Sequence, residues 1–444
     1  MAYTPHTPDQ KSEMLRSLGL ERVEQLFQEQ IPDKLLLERP LDLPSAMSEI
    51  EVRRHFQDLA SCNVEAGSQA CFLGAGIYDH YVPSVVPTII LRGEYHTAYT
   101  PYQPELSQGT LQAIFEFQTM ISALTGMDVA NASMYDGATA FAEAVILAAG
   151  STNRDEAVLV NVHPAWVQVT HTYVEGLGIR VVEAPVTSGV ADLDWLREKV
   201  GSGTAVVAVQ QPNFFGGIED LKALADLAHG AGALLVVGAN PISLGLLEAP
   251  GTLGADIAVG EGQPLGLGMN FGGPLVGYFA AKNKYLRQMP GRLVSQTKDR
   301  EGRNGFVLTL QTREQHIRRE RATSNICTNQ GLMMLAATVY LSTMGKQGVR
   351  EVAAQCVQKA HYAAERFASV PGYRLKFQAP FFHEFVLQCP GDAAEVADRL
   401  TDYGILAGYP LGRHYPELAD CLLVAVTEKR TQEEIDKFYE ALKA

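Results

Sequence analysis

The sequence predicts an α/β protein whose main domain contains a mainly parallel β-sheet with helices on both faces. Between Asn131 and Ala281, short apolar segments alternate with helical segments at a spacing typical of βαβ units. Near the end of this region, the stretch from Gly260 to Gly277 holds seven glycines. In such folds the loops after the carboxyl ends of the strands line one crevice, so this glycine-rich stretch is expected to form part of its wall.

The composition of the 444-residue chain is that of an ordinary soluble globular protein, with 46% hydrophobic and 19% charged residues. A net charge of -14 argues against nucleic acid or an anionic membrane as the main partner. The six cysteines show neither CxxC nor paired metal spacing, and no HExxH motif occurs, so no metal site is predicted. With neither a signal peptide nor an apolar run of about 20 residues, a cytoplasmic location is expected.

The first 60 residues predict a helical arm. Thr7 and Pro8 open one amphipathic helix, a second surrounds Leu26, and a third follows Ser45. None of the three carries a group of side chains that suggests chemistry. This arm is predicted to precede a large α/β domain over 61–330.

Residues 71–105 form an irregular segment rich in Tyr, His, Gly and Pro, with one short helical pattern from Val82 to Leu91. Segments of this kind are usually functional or are packed against a partner. Ser107 is then predicted to cap a long helix that runs to about Thr125. The segment therefore supplies candidate binding residues without suggesting their ligand.

The elements of the large domain follow from apolar runs bounded by Gly and Pro. The predicted strands are Ala157–Val162, Ile179–Glu183, Ala205–Val209, Leu234–Val237, Asp256–Val259 and Pro274–Ala280, and the helices include Pro164–Glu175 and Leu221–Gly230. Residues 290–330 are basic and are predicted to be irregular. Residues 331–444 are predicted to contain a long helix, broken near Gly345–Gly348, and a small α/β unit.

Two sets of residues at predicted strand ends are candidate site residues. Gly137, Ala138 and Thr139 lie at a helix N-terminus, where free N–H groups and the helix dipole favour an anion. The alternative is a capped, tightly packed helix start. His163 follows a strand and could stack on a flat ring or donate a hydrogen bond, or it could be structural. Glu261 is the one ionisable residue of the glycine-rich stretch, which thus lacks a nucleophile and a strong base.

Four arginines form a basic cluster further along the chain. Such a cluster could bind an anion or pair with the excess acidic groups at the surface. Its members are Arg313, Arg318, Arg319 and Arg321.

Long motifs reveal a family resemblance. FLGAGIYDHYVP, SMYDGATAFAEA and RRERATSNICTNQGL resemble the P protein of the glycine cleavage system, and the resemblance covers essentially the whole chain. It implies a fold-type I pyridoxal-phosphate (PLP) transferase fold. The P protein occurs as one long chain or as two subunits of similar fold, and this chain resembles the N-terminal half.

Two departures from the cofactor-bearing half of that family carry chemical weight. That half has a strand ending in Asp-Gly-Ala-Asn, with the Asp on the pyridine nitrogen, and later a His-Lys pair that holds PLP. Here Val237 stands in place of the Asp, and Gln263 and Pro264 stand in place of His-Lys. Without the carboxylate the ring is a poorer electron sink, and without the lysine no covalent link forms. The nearest lysines, Lys282 and Lys284, are expected at the surface.

The resemblance therefore implies a vestigial pocket and no catalytic residue on this chain. PLP is expected on a partner subunit, with the complex decarboxylating glycine and passing the aminomethyl group to the lipoyl group of the H protein. The resemblance further suggests two sets of residues that complete the partner's site. Possible contacts to the cofactor are Thr323, Ser324 and Asn325, and the residues lining the glycine or lipoyl side are Tyr95, Tyr99, Tyr102 and Gln103.

Two alternatives stay open at this stage. The chain could be a free-standing PLP aminotransferase or lyase that uses an unexpected lysine. It could also be a structural or regulatory subunit that contributes no side chain to chemistry. Covalent trapping of PLP on the isolated chain distinguishes the first alternative, and variants of the candidate loops distinguish the second.

Overall fold

A computed structural model describes residues 5–28, 30–37, 39–322 and 324–444. The chain divides into two compact units, Met1–Val64 and Glu65–Ala444. The helices are α1 (Pro8–Ser17), α2 (Glu24–Gln28), α3 (Glu49–Ser61), α4 (Val85–Ile90), α5 (Gly93–His96), α6 (Gln108–Thr125), α7 (Gly137–Thr152), α8 (Pro164–Val174), α9 (Leu193–Lys199), α10 (Leu221–Gly230), α11 (Gln315–Arg318), α12 (Gly331–Ala368), α13 (Ala393–Thr401) and α14 (Gln432–Lys443). Among the described residues, no helix is long and apolar enough to cross a membrane.

The strands are short, as is usual for a sheet covered on both faces. They are β1 (Ala70–Cys71), β2 (Val129–Ala130), β3 (Glu156–Val160), β4 (Arg180–Glu183), β5 (Thr204–Gln211), β6 (Leu234–Ala239), β7 (Ile257–Glu261), β8 (Gly277–Ala281), β9 (Leu293–Lys298), β10 (Asn304–Thr309), β11 (Arg374–Leu375), β12 (Glu384–Gln388), β13 (Ile405–Leu406), β14 (Tyr409–Pro410) and β15 (Cys421–Ala425).

The first unit contains the predicted helices α1, α2 and α3. Thr7 and Gln10 form a capping box at the start of α1, as the Thr-Pro sequence indicated. The third helix begins after Ser48, so the prediction that it follows Ser45 was wrong by one turn. The Ser48 side chain accepts a hydrogen bond from the Glu51 N–H, and the Glu51 side chain returns to the Ser48 backbone. This reciprocal cap fixes where the helix starts.

The main sheet of the second unit has seven strands in the order β2-β8-β7-β6-β5-β3-β4. β4, β3, β5, β6 and β7 are parallel, whereas β8 and β2 are antiparallel to their neighbours. Apolar clusters lie on both faces, one built with residues of α6, α10 and α12 and the other with residues of α7 and α8. The mainly parallel sheet covered on both faces is therefore confirmed.

The C-terminal part contains a four-stranded antiparallel sheet in the order β11-β12-β15-β14. An apolar cluster that includes Phe72, Phe367 and Phe438 packs on it. The long helix α12 is kinked at Gly345, whose φ of 59° is left-handed, so the predicted break is confirmed. The predicted domain boundaries after residues 60 and 330 stay predictions.

The expectation that residues 290–330 are irregular was wrong for β9 and β10, which form an antiparallel hairpin. The Asp299 side chain closes its turn by accepting from the Arg303 and Glu301 N–H groups. The second half of β9 is exposed and polar, so its sequence lacks the apolar run that indicates a strand. Ser107 occupies the predicted N-cap of α6 but its side chain makes no capping bond. The next residue, Gln108, ties α6 to the hairpin through both backbone groups of Phe306.

Gly216 joins the loop after β5 to the small sheet, and its replacement tests that junction. Its carbonyl accepts from the Phe382 N–H at 3.1 Å, its φ is +85°, and a Cβ there would lie 2.0 Å from the Glu384 carbonyl oxygen. Gly216→Ala is expected to lower the free energy of unfolding by about 2 kcal/mol or more, because both the strain and the clash must be relieved. Urea denaturation measures this loss.

Gly203→Ala is the matched control for that variant. A Cβ at Gly203 meets no heavy atom within 4 Å. Its stability is expected to stay close to that of the native chain. Equal stabilities of the two variants would contradict the tight junction at Gly216.

Candidate functional site

The carboxyl ends of β5, β6 and β7 meet at one edge of the main sheet, where the sequence predicts a crevice. The structure places a nearly filled cavity there, with a volume of about 20 Å³. A cavity of that size holds about one water molecule. It is lined by Gly76, Tyr78, Trp166, Gln210, Gly238, Ala239, Asn240, Glu261 and Pro264.

The predicted anion site at the N-terminus of α7 is taken by a carboxyl group of the chain itself. Glu261 Oε2 accepts from the Gly137 N–H at 2.9 Å, and Oε1 accepts from the N–H groups of Gln263 at 2.9 Å and Val276 at 3.2 Å. Burial raises the pKa of Glu261 to about 8, and these three donors oppose that rise. The helix start is also capped by Asp136, which accepts from the Thr139 N–H at 2.8 Å. Ala138 lies between these two contacts as the second residue of α7.

The fully buried side chain of Gln263 links the glycine-rich stretch to the backbone of Tyr78 by hydrogen bonds. Its Nε2 donates to the carbonyl oxygens of Tyr78 at 2.9 Å and Leu267 at 2.8 Å, and its Oε1 accepts from the Tyr78 N–H at 3.0 Å. Pro264 follows and lines the small cavity. This side chain therefore holds residues 76–80 against the glycine-rich stretch.

Val237 packs inside the core, and the two neighbouring lysines bond groups of the chain itself. Val237 is fully buried in the same apolar cluster as Val209 and Leu265. Lys282 Nζ donates to carbonyl oxygens near the amino end of β7, and Lys284 pairs with Asp256 at 2.9 Å. Both lysines thus lie at the opposite edge of the sheet from the cavity. Lys284 is exposed, as expected, whereas Lys282 is half-buried and donates to the carbonyl oxygens of Gly126, in the α6–β2 turn, and Gly251.

His163 is a structural residue. It is the N-cap of α8, where its Nδ1 accepts from the Ala165 N–H at 3.0 Å and its Nε2 donates to the Ala75 carbonyl at 2.7 Å. Burial lowers the pKa of His163, which favours this neutral form. The ring stacks near Trp166 and meets Phe214 edge-on. Both of its nitrogens are therefore occupied within the fold.

Sequence reasoning missed a buried pair that joins this edge to the small sheet. The Tyr78 hydroxyl donates to Glu384 Oε2 at 2.7 Å, and the Ala75 N–H donates to Oε1 at 2.8 Å. Burial raises the pKa of Glu384 to about 7. The two residues of the side-chain pair are 306 positions apart, so no local pattern could have indicated them.

A second buried pair could be mistaken for a metal centre. Among the described residues, His80, Cys356 and Glu428 place potential ligand atoms within 4.8 Å of one another. His80 Nδ1 already bonds Glu428 Oε2 at 2.7 Å. Burial raises the pKa of Glu428, but the hydrogen bonds from His80 and from the backbone outweigh it and lower the pKa to about 2.

The candidates for contact with a partner's cofactor lie before α12. Ser324 and Asn325 line a cavity of about 470 Å³, and Thr323 lies outside the described residues. The Ser324 hydroxyl accepts from the Ile326 N–H, and Asn325 is exposed. Burial raises the pKa of Glu143, which also lines this cavity, to about 7.

The four candidates between residues 95 and 103 do not form one cluster. Tyr95 is half-buried and lines a separate cavity of about 440 Å³ with residues of α6 and α12. Tyr99 and Gln103 are exposed. Tyr102 contacts Arg292 through its hydroxyl. Of the basic cluster, Arg313 is buried and bonds backbone carbonyls, whereas the others are exposed.

The strand order of the main sheet and the small C-terminal sheet define the class: this is the fold of fold-type I PLP enzymes. The solved structure of a sphingosine-1-phosphate lyase from Burkholderia pseudomallei matches it with a TM-score of 0.66 at 16% identity, over 93% of each chain. The glycine cleavage system P-protein family matches residues 1–442, and the chain belongs to that family.

Similarity to individual members of the family extends over the full length. A curated relative from Carboxydothermus hydrogenoformans, described as probable glycine dehydrogenase (decarboxylating) subunit 1, is 56% identical over 100% of this chain and 99% of its own. A crystal structure of a glycine decarboxylase P-protein in inhibitor-bound form matches with a TM-score of 0.92 at 48% identity, covering 100% of this chain and 99% of that one.

Glu384→Gln tests the buried carboxyl by the pH dependence of stability. Because the folded-state pKa of about 7 lies above the ordinary 4.5, the stability that the protonated group contributes is complete below 4.5 and is lost as pH rises through about 7. The loss approaches about 3 kcal/mol for this residue. A glutamine can accept from the Ala75 N–H and donate to the Tyr78 hydroxyl, so the variant is expected to lack this loss of stability between pH 4.5 and about 7.

The measurement is urea denaturation at a pH near 4.5 and at a pH above 7, because the loss lies between the unfolded-state and folded-state pKa values. Glu198→Gln, at an exposed position of α9, is the control and should lose stability over this range as the native chain does. If Glu384→Gln declines as steeply as the native chain, the group is not protonated in the folded state at neutral pH.

Proposed function

We propose that this chain is the subunit of glycine decarboxylase that does not carry the cofactor and that it completes the active site of a PLP-bearing partner. The observation that carries the proposal is the filled edge of its own sheet. Glu261, Gln263 and Trp166 occupy the region where the fold would hold a ligand, and the remaining cavity is about 20 Å³. The descriptions of the relatives as subunit 1 support the existence of a second subunit.

The residues at this edge do not fit PLP. A PLP phosphate requires free N–H groups at a helix N-terminus, but the Gly137 N–H already bonds Glu261. A pyridine nitrogen requires an acidic partner, and Val237 offers none. No reaction step is therefore assigned to PLP on this chain.

The proposed complex releases CO2 from glycine and transfers the aminomethyl group to the lipoyl group of the H protein. Its cofactor would be held covalently by the second subunit. This chain alone is proposed to be inactive, and its role is to bind that subunit and shape its site. Glycine, the PLP-bearing subunit and the H protein are the partners.

Two loops of this chain are proposed to face the partner's site. Residues 322–330 carry Thr323, Ser324 and Asn325, and exposed Asn325 is well placed for a contact outside the chain. The second loop carries Tyr99, Tyr102 and Gln103, of which Tyr99 is 82% exposed. Exposed aromatic side chains of this kind are enriched in protein interfaces. Tyr95 is proposed to line the glycine or lipoyl side from its own cavity.

The alternative of a free-standing PLP enzyme has less support. It requires a lysine at the carboxyl edge of the sheet, and the two lysines nearest in sequence bond groups at the other edge. The filled cavity is equally compatible with the alternative of a purely structural subunit. That alternative differs by predicting that variants of the two loops keep full activity once the complex has formed.

The isolated chain is expected not to form a covalent adduct with PLP. Borohydride reduction after incubation with PLP, followed by peptide mass spectrometry, should find no lysine modified above the level of exposed surface lysines. The PLP-bearing subunit, treated in parallel, is the positive control. Stoichiometric modification of one lysine of this chain would refute the proposal and favour the free-standing enzyme.

Asn325→Ala and Ser324→Ala are expected to leave the assembly of the complex intact and to weaken PLP retention or turnover. A lost hydrogen bond to a charged group costs ~1.5–3 kcal/mol, which is about a ten- to hundredfold change. Assembly is measured by analytical ultracentrifugation, and turnover by release of CO2 from glycine. Ser202→Ala, at an exposed turn, serves as the matched control. Full activity of both loop variants in an assembled complex would favour the structural subunit.

A further inference from the structure

Arg292, just before β9, is a buried cation without a counter-ion. It is 2% exposed, its Nη1 donates to the Thr328 hydroxyl at 2.9 Å, and its Nη2 donates to the Tyr102 hydroxyl at 3.0 Å. Its Nε has no acceptor among the residues that the structure describes, and none of the ion pairs in that part of the chain includes it. Both of its side-chain partners are neutral.

Such an arrangement is costly unless an anion completes it. A guanidinium group carries five N–H donors and keeps its charge when buried. Burial of a charge without a charged or fully hydrogen-bonded partner opposes folding, and for this reason buried charges are normally paired. One further acceptor, preferably an anionic one, is therefore expected beside Arg292.

The surroundings add positive charge. Arg313 is also buried, and it donates to backbone carbonyls, including that of Gly291 at 2.9 Å. The buried carboxyl group of this neighbourhood, Glu314, lies 3.6 Å from His316 Nδ1. His316 in turn meets the Tyr102 ring edge-on. Arg313 thus bonds the backbone of the residue before Arg292, so a second buried guanidinium group is tied to the same stretch of chain.

The two hydroxyl groups can also donate to an anion. Each accepts a hydrogen bond from Arg292, which leaves its own proton available. Within the described ranges, neither hydroxyl donates to another residue. Tyr102 is 52% exposed and Thr328 is half-buried, so both hydroxyl-bearing residues are partly open to solvent although Arg292 itself is buried. Three unused donors, Nε and two hydroxyl protons, are therefore grouped around one buried charge.

The position of Arg292 connects it to the carboxyl edge of the main sheet. Its carbonyl accepts from the Ala132 N–H at 2.9 Å, in the segment that leads from β2 to α7. Asn329, next to Thr328, donates to the Ala132 carbonyl and to the Ser133 hydroxyl. The group is thus built on the same edge as the filled cavity, but it uses different residues and opens toward solvent.

We propose that Arg292, Tyr102 and Thr328 form a binding site for a small oxyanion, either a phosphate or a carboxylate group. The planar guanidinium suits both, because each presents two oxygens to parallel N–H donors. The hydroxyl groups of Tyr102 and Thr328 hold the guanidinium in place and contribute a proton each. The site belongs to this chain and does not require the proposed partner.

The test is a titration of the isolated full chain with inorganic phosphate and with acetate, at constant ionic strength, by calorimetry. The native chain is expected to bind at least one of the two. Arg292→Gln is expected to weaken that binding by about tenfold or more, as the loss of charged hydrogen bonds predicts. Arg303→Gln, in the exposed turn of the same hairpin, is the matched control and should bind as the native chain does.

Tyr102→Phe and Thr328→Val keep the shape of the site and remove one hydroxyl each. Both are expected to fold and to weaken binding by several-fold, so the proposal stays testable if Arg292→Gln is unstable. Absence of binding by the native chain, or equal binding by the hydroxyl variants, would overturn it. Tighter binding of phosphate identifies a phosphate ligand, and tighter binding of acetate identifies a carboxylate.

Measurements on the assembled complex then show whether the bound oxyanion is the cofactor phosphate or the glycine carboxylate. If Arg292 binds a cofactor phosphate across the interface, Tyr102→Phe lowers PLP retention and leaves the KM for glycine unchanged. If it binds the glycine carboxylate, the KM rises and PLP retention is unchanged. A native complex without activity would refute the proposed function, and it would leave the anion titration of the isolated chain unaffected.

Discussion

The rest of the site depends on one buried carboxyl group. Glu261 ends β7 and accepts from three backbone N–H groups, one at the start of α7 and two in the glycine-rich stretch. A ligand phosphate would normally satisfy such a helix start from outside. Here a side chain of the neighbouring strand does so, and the contact holds sheet, helix and loop together without any ligand. The chain therefore satisfies this helix start with a side chain of its own.

A series of hydrogen bonds connects the region of this carboxyl group with the small C-terminal sheet. Gln263, two residues on, fastens the loop to the backbone of Tyr78, and the Tyr78 hydroxyl reaches Glu384 at the start of β12. Each contact is buried and each polar group in it has a partner, as the interior of a protein requires. The result is a continuous hydrogen-bonded path across the region where related folds leave room for a cofactor.

Function in this chain is accordingly proposed for its outer loops. Two segments outside the filled cavity carry exposed side chains, among them Tyr99 in residues 95–106 and Asn325 in residues 324–330. Rigid support of exposed loops is a common way to build a site that a second molecule completes. Arg292 joins the two segments, because it donates to the hydroxyl groups of Tyr102 and Thr328.

The sequence by itself determined the elements whose signals are local. Apolar runs and helical periodicity identified the parallel strands and α10, and the glycine at 345 marked the break in α12, since these depend on neighbours a few residues away. The sequence also showed directly that Val237 stands in place of the Asp, and Gln263 and Pro264 in place of the His-Lys pair, of the cofactor-bearing half of the family. Only the tertiary structure decided which side chains meet. Arg292 and Tyr102 are 190 residues apart, and the exposed face of the β9–β10 hairpin resembles a loop, because burial and long-range pairing arise from packing and leave no periodic trace in the chain.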